Sequence, residues 1–85
     1  MYQILTKETL TPVTKLFVIA APEVARKAQA GQFVVLRVHE KGERVPLTIA
    51  DYDREAGTIT IVVQEIGKST KMLGQLEPGA QLASF

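Results

Sequence analysis

The sequence predicts an all-β fold: a small six-stranded antiparallel Greek-key barrel with two short helices. Three observations predict it. Short runs rich in β-branched and aromatic residues recur along the chain. Glycine, proline and polar clusters punctuate them. Only two stretches carry helical patterning. At 85 residues the chain is expected to form one domain over 1–85, which buries a modest share of its surface.

The first run, "YQILTKE", has β-propensity. After "TLTP", "VTKLFVIAA" forms a second strand, with Val13, Phe17 and Ile19 on one face and Leu16, Val18 and Ala20 on the other. Both faces are largely apolar, as in a strand packed on two sides. "PEVARKAQAG" then predicts a short helix of about two turns. Pro22 suits its first position, Glu23 the positive end, and Arg26 and Lys27 the negative end, with Gly31 as a left-handed terminator.

"QFVVLRV" is the third strand and "HEKGER" a polar loop. "PLTIADY" and "TITIVVQ" flank "DREAG", a hairpin loop in which Gly57 supplies a positive φ. Ile59, Ile61 and Val63 share one face of the second strand; Thr58, Thr60 and Gln64 share the other. In "KSTKMLGQLEPG", Met72, Leu73 and Leu76 fit one helical face and Pro78–Gly79 stop the helix. Gly74 weakens that helix by about 1 kcal/mol relative to alanine. "AQLASF" is the last strand, and its apolar end at Phe85 is expected to mark a truncated domain.

Composition narrows the partners. A net charge of +1 predicts no bulk attraction to nucleic acid or membranes, and 6% aromatic residues give no platform for stacking single strands. No segment approaches the roughly 20 apolar residues of a membrane helix, and "MYQILTKETL" lacks the pattern of a signal peptide. The absence of cysteine excludes disulfides, thiolate-bound zinc and cysteine-ligated iron–sulfur clusters within these residues, and it fits a cytoplasmic location. His39 is the one histidine and reads as a surface loop residue. Asp51, Asp53 and Glu55 read as a solvated turn, and Tyr52 as a half-buried strand tyrosine.

Two stretches could carry chemistry. In "EIGKSTKML", Gly67 stands where a strand gives way to a helix. The first N–H groups of a helix lack internal partners and carry partial positive charge, and glycine admits a ligand to the backbone. Ser69 and Thr70 add hydroxyls, Lys68 and Lys71 add charge, and the set would suit a phosphate or diphosphate. The plainer reading has Ser69 as a helix cap; both readings can hold at once. In "ERVPLTIADY", Pro46 belongs at a strand start or edge, Leu47, Thr48 and Ile49 offer backbone groups and a hydroxyl, and Arg44 is a possible phosphate ligand. The plainer reading here is an edge strand with a solvated arginine.

Taken together, "AGQFVVLRV", "RVPLTIADYD" and "TITIVVQEIGKSTKML" resemble the FAD-binding barrel of the ferredoxin–NADP reductase superfamily. Within it the chain is similar to the branch of the dihydroorotate dehydrogenase electron-transfer subunit and the sulfide dehydrogenase FAD subunit. The resemblance covers nearly the whole chain. It implies FAD as cofactor. Pro46, Leu47 and Thr48 would lie along the flavin and its ribityl-phosphate region. Val62, Val63 and Gln64 would contact FAD largely through the backbone. Gly67, Lys68, Ser69 and Thr70 would cradle the diphosphate.

The chain departs from the family pattern in three places. Val45 stands before the proline where much of the family has arginine, and Arg44 is one residue earlier; a one-residue shift in a strand reverses the face. Ser69 replaces a second glycine. The third departure is length: the family's nicotinamide-binding domain and this branch's iron–sulfur region are absent from these 85 residues.

The resemblance implies an NAD(P)H-dependent, ferredoxin-linked oxidoreductase that relays electrons between NAD(P)H and an iron–sulfur centre. No residue here reads as an acid, base or nucleophile, so the chain alone is not expected to turn over. An uncovered face should drive self-association, most simply to a dimer. The rival reading is a cofactor-free small barrel used as a protein-interaction module; such a module has no need for Gly67, Ser69 and Thr70 together at a helix start.

Overall fold

A computed structural model of the chain describes residues 2–29, 31–37 and 42–82. The expected strand at "AQLASF" and the loop at His39 fall partly or wholly outside these residues. The elements run β1 (Tyr2–Thr11), β2 (Thr14–Ala20), α1 (Pro22–Lys27), β3 (Phe33–Leu36), β4 (Val45–Asp53), β5 (Thr58–Gln64), α2 (Lys68–Gly74) and β6 (Gln81–Leu82).

The six strands form one antiparallel sheet in the order β3-β4-β5-β2-β1-β6. Strands β3, β4 and β5 follow one another, and β2, connected through α1, returns beside β5; this is the Greek-key arrangement. The sheet is curled. Leu36 of β3 and Leu82 of β6, from its two ends, are buried in the same core as Ile4, Phe17, Ile19, Ile59, Ile61 and Val63. Strict alternation along β5 puts Ile59, Ile61 and Val63 inside, as the sequence predicts.

Four local expectations are corrected. First, Val13 is 55% exposed, because it sits in the β1–β2 turn rather than in the strand. The inward position of that strand nearest the turn is taken by Lys15 instead.

Second, α1 ends at Lys27, and Ala28 is already extended. Gly31, at φ +90°, serves the following connection and not the helix end. Arg54 reaches across from the β4–β5 hairpin to this early end: Nη2 donates to the Ala28 carbonyl at 2.7 Å and Nε to that of Arg26 at 3.2 Å. A cation on the terminal carbonyls satisfies groups the helix leaves unpaired.

Third, Met72 is exposed, so α2 buries Leu73 without it, and Leu76, half-buried, follows the helix. Fourth, α2 itself ends at Gly74, before the Pro78–Gly79 stop. The hairpin matches its reading. Gly57 has φ +71°, and the Asp53 Oδ1 accepts from the Glu55 and Ala56 N–H groups at 3.0 Å each.

Candidate functional site

Strand β4 changes partners midway. Its residues Val45 to Thr48 pair with β3, whereas its pairing with β5 begins at Ile49, opposite Ile61. Before that point β4 and β5 part, and a groove opens between them. One hollow of about 320 Å³ is lined by Pro46, Leu47, Thr48, Val62, Gln64, Ile66 and Thr70. A second, of about 160 Å³, shares Pro46, Ile66 and Thr70 and adds Glu43, Arg44, Val45, Gly67, Lys68 and Ser69. The two adjoin, one toward the strand and one toward the turn.

Nearly all the residues singled out from the sequence therefore meet here. Pro46 and Thr48 point outward, and Val62 and Gln64 lie on the outer face of β5. Leu47 is buried and only edges the groove, and Val63 is fully buried in the core. Any contact Val63 makes with a ligand is through its backbone. Arg44 precedes β4, so strand alternation does not govern it, and it lines the hollow that also holds Gly67 to Thr70.

The turn into α2 is built by Thr70. Its Oγ1 accepts from the N–H of Gly67 at 2.9 Å and of Ile66 at 3.1 Å, and donates to the Gly67 carbonyl at 3.0 Å. Gly67, not Ser69, is therefore the cap position, and Thr70 closes the turn from within the helix. The first intrahelical bond runs from Lys71 N–H to the Gly67 carbonyl at 2.9 Å. Helix geometry thus leaves the N–H groups of Lys68, Ser69 and Thr70 without an intrahelical acceptor.

Gly67 is extended, with φ −143°, a conformation open to any residue. What glycine supplies is room: a Cβ there would meet nothing nearer than Thr70 Oγ1 at 3.9 Å. A side chain would project into that open space, the place a ligand would use. Three convergent N–H groups, an open cradle and the cations of Arg44 and Lys68 fit the diphosphate of a dinucleotide, and the adjoining hollow at Thr48 gives the rest of such a molecule somewhere to lie.

Two residues of the groove escaped the sequence reading. Ile66 is 81% exposed and lines both hollows. Its signal was available: an apolar residue directly before the glycine, off the inward phase of β5. Glu43 accepts a hydrogen bond from the Ser69 hydroxyl at 2.8 Å, across 26 positions of sequence that hide the pairing. A larger hollow of about 640 Å³, lined by Tyr2, Val24, Lys27, Phe33 and Ile49 among others, lies elsewhere; of the residues singled out with the "PLT" stretch it takes only Ile49, which is buried and lines neither part of the groove. Among the described residues no group of histidine, cysteine or carboxylate side chains could hold a metal ion, and no helix is long and apolar enough to cross a membrane.

Comparison with known proteins identifies the family. A Clostridium beijerinckii protein of uncharacterised function is 51% identical over all 85 residues, which make up 29% of its length. A dihydroorotate dehydrogenase B (NAD(+)) electron transfer subunit homolog from Thermotoga maritima is 49% identical over 74% of this chain and 22% of its own. The electron transfer subunit of Desulforamulus reducens is 32% identical over 91% of this chain and 30% of its own. The solved structure of an NADH-dependent reduced ferredoxin-NADP oxidoreductase, a subject of work on flavin-based electron bifurcation, superposes with a TM-score of 0.92 at 40% identity, over 96% of this chain and 30% of that one. The chain thus spans less than a third of the length of these relatives. The family model of the oxidoreductase FAD-binding domain matches residues 1–84. With that match over nearly its whole length, the chain belongs to the FAD-binding domain family of oxidoreductases, and its cofactor is FAD.

Proposed function

We propose that this chain is the flavin-holding part of a larger NAD(P)H-dependent, ferredoxin-linked oxidoreductase. One observation carries the reading: where β4 parts from β5, Pro46–Thr48, Val62, Gln64 and Gly67–Thr70 line two adjoining hollows. A bound flavin takes electrons in pairs from a nicotinamide and passes them on singly. The chain's own residues supply placement. The N–H groups of Lys68, Ser69 and Thr70 hold the diphosphate, with Arg44 and Lys68 balancing its charge. Thr48 and the backbone of Val62 to Gln64 would line the place of the ribityl chain and ring, and the exposed side chain of Ile66 would shield one side from water.

The domain that delivers the nicotinamide and the iron–sulfur partner that takes the electrons lie in the remainder of the protein, as the length of the relatives supports. The working location is the cytoplasm. By itself the chain self-associates, most simply as a dimer: the outer edge of β3 has no strand partner among the described residues, and Phe33 on it is 68% exposed.

Titration of the purified chain with FAD, following flavin fluorescence and thermal melting together, tests the reading. At 100 times the dissociation constant a ligand stabilises the native state by about 2.7 kcal/mol. For a domain of this size that raises the melting temperature by roughly 10 °C or more. Saturable binding, tighter for FAD than FMN, is the expected result. Steady NADH oxidation by the chain plus FAD alone would contradict the division of labour, and no binding would overturn the placement of the site.

A further inference from the structure

We propose that Lys15 and Glu65 are positioning residues for the diphosphate turn, acting through an ion pair wedged beneath Gly74. The proposal rests on the FAD reading of the groove.

Glu65 stands between the end of β5 and the turn. Its main-chain N–H donates to the Val13 carbonyl at 2.7 Å. Its Oε2 meets Lys15 Nζ at 2.9 Å, and the two side chains are only 13% and 12% exposed. This oxygen is buried, and the ammonium lies off the line of a well-formed hydrogen bond, so the contact is chiefly ionic. Lys15 Nζ also donates to the Pro12 carbonyl at 3.1 Å. Backbone and side chain of residue 65 are thus both fastened to the β1–β2 turn.

The other side of Glu65 meets α2. Gly74 is buried, and a Cβ built on it would overlap the Glu65 side chain from Cγ to the carboxylate. The last residue of the helix therefore rests directly on this ion pair, while the first turn of the same helix carries the N–H groups of Lys68 to Thr70. A helix of this length is a rod about 10 Å long. A displacement at one end tilts the other. Leu73 anchors α2 in the core, but apolar packing has no directional preference that would set the aim of the N–H groups.

The choice of residues fits positioning better than stability. Lys15 occupies an inward phase of β2, in line with Phe17 and Ile19. An apolar residue there would avoid the cost of removing two charges from water.

The test uses the 85-residue chain, Glu65→Gln, and the double variant Lys15→Met with Glu65→Met. Three quantities are read: melting temperature, the ratio of FAD to FMN affinity, and the amide NMR signals of Lys68, Ser69 and Thr70. The double apolar variant is expected to melt no lower than the unaltered chain. Both variants should shift the three amides. Both should bind FAD about tenfold more weakly, the equivalent of one charge-assisted hydrogen bond, with a smaller loss for FMN. The proposal is overturned if the double variant keeps the amide positions and the FAD preference. It is also overturned if FAD and FMN weaken together in step with stability. Should the unaltered chain bind no FAD, the groove reading fails by itself; the amide signals then decide the role of the pair, shifted for positioning and unmoved against it.

Discussion

The Thr70 hydroxyl closes a ring on Gly67, accepting from its N–H at 2.9 Å and donating to its carbonyl at 3.0 Å. One side chain thereby fixes both polar groups of the residue that opens α2. The hydroxyl is committed to the turn, so the donors left for a ligand are backbone N–H groups.

Replacing Thr70 with valine keeps the shape and removes the ring. The loss of such a cap costs about 1 kcal/mol, roughly 4–8 °C in melting temperature for a domain of this size. FAD should bind about tenfold more weakly, since the backbone N–H groups lose the ring that aligns them, an effect the size of one hydrogen bond to a charged group. Thr70→Glu should abolish FAD binding, because its carboxylate would face the diphosphate. Calorimetric titration of both variants checks this, and undiminished binding by Thr70→Glu would remove the turn from the site.

Glu43 places a carboxylate on Ser69 at the same end of the groove. A diphosphate entering there meets a like charge and must compete for the hydroxyl. Glu43→Gln should tighten FAD several-fold, by about 0.5–1 kcal/mol for a screened surface charge, and the gain should shrink at high salt. Affinities measured at low and high ionic strength provide the check.

Gly57 combines a left-handed backbone, φ +71°, with a close neighbour: a Cβ there would lie 3.1 Å from that of Pro22. Its carbonyl also accepts from the Ala21 N–H at 2.9 Å, tying the hairpin to the start of α1. Gly57→Ala should destabilise by about 1–3 kcal/mol, read as a lower midpoint in urea with an unchanged slope. FAD affinity of the folded fraction should hold, as the hairpin lies away from the groove.

Phe17 is fully buried in the core. Phe17→Ala should cost about 3–5 kcal/mol, a large share of what a chain this small possesses. Saturating FAD should recover part of the loss, a coupling that melting with and without the flavin would show.

Much of this protein was legible in its sequence because the relevant signals are local. Thr58 to Gln64 alternates without interruption between a turn glycine and a polar exit, so β5 could be bounded and faced correctly. Gly67 to Thr70 carries its turn chemistry within four residues. The "PLT" segment announces a strand start through proline alone. Local signals misled where a distant group intervened. Gly31 looked like the end of α1 because nothing in the sequence shows that Arg54 would already hold the carbonyls of Arg26 and Ala28. Met72 looked inward because helical spacing gives a face but not its width.

The sequence by itself determined the all-β class, the hairpin at Gly57, the two short helices and the turn at Gly67 that opens the second of them, since period and turn residues act over a few positions. The tertiary structure alone decided that β4 parts from β5 to open a groove, that Glu43 reaches Ser69, and that Lys15 turns inward to meet Glu65 beneath Gly74. These depend on strand register and on the packing of segments far apart in the chain, where a shift of one residue reverses a face and leaves no mark in the local pattern.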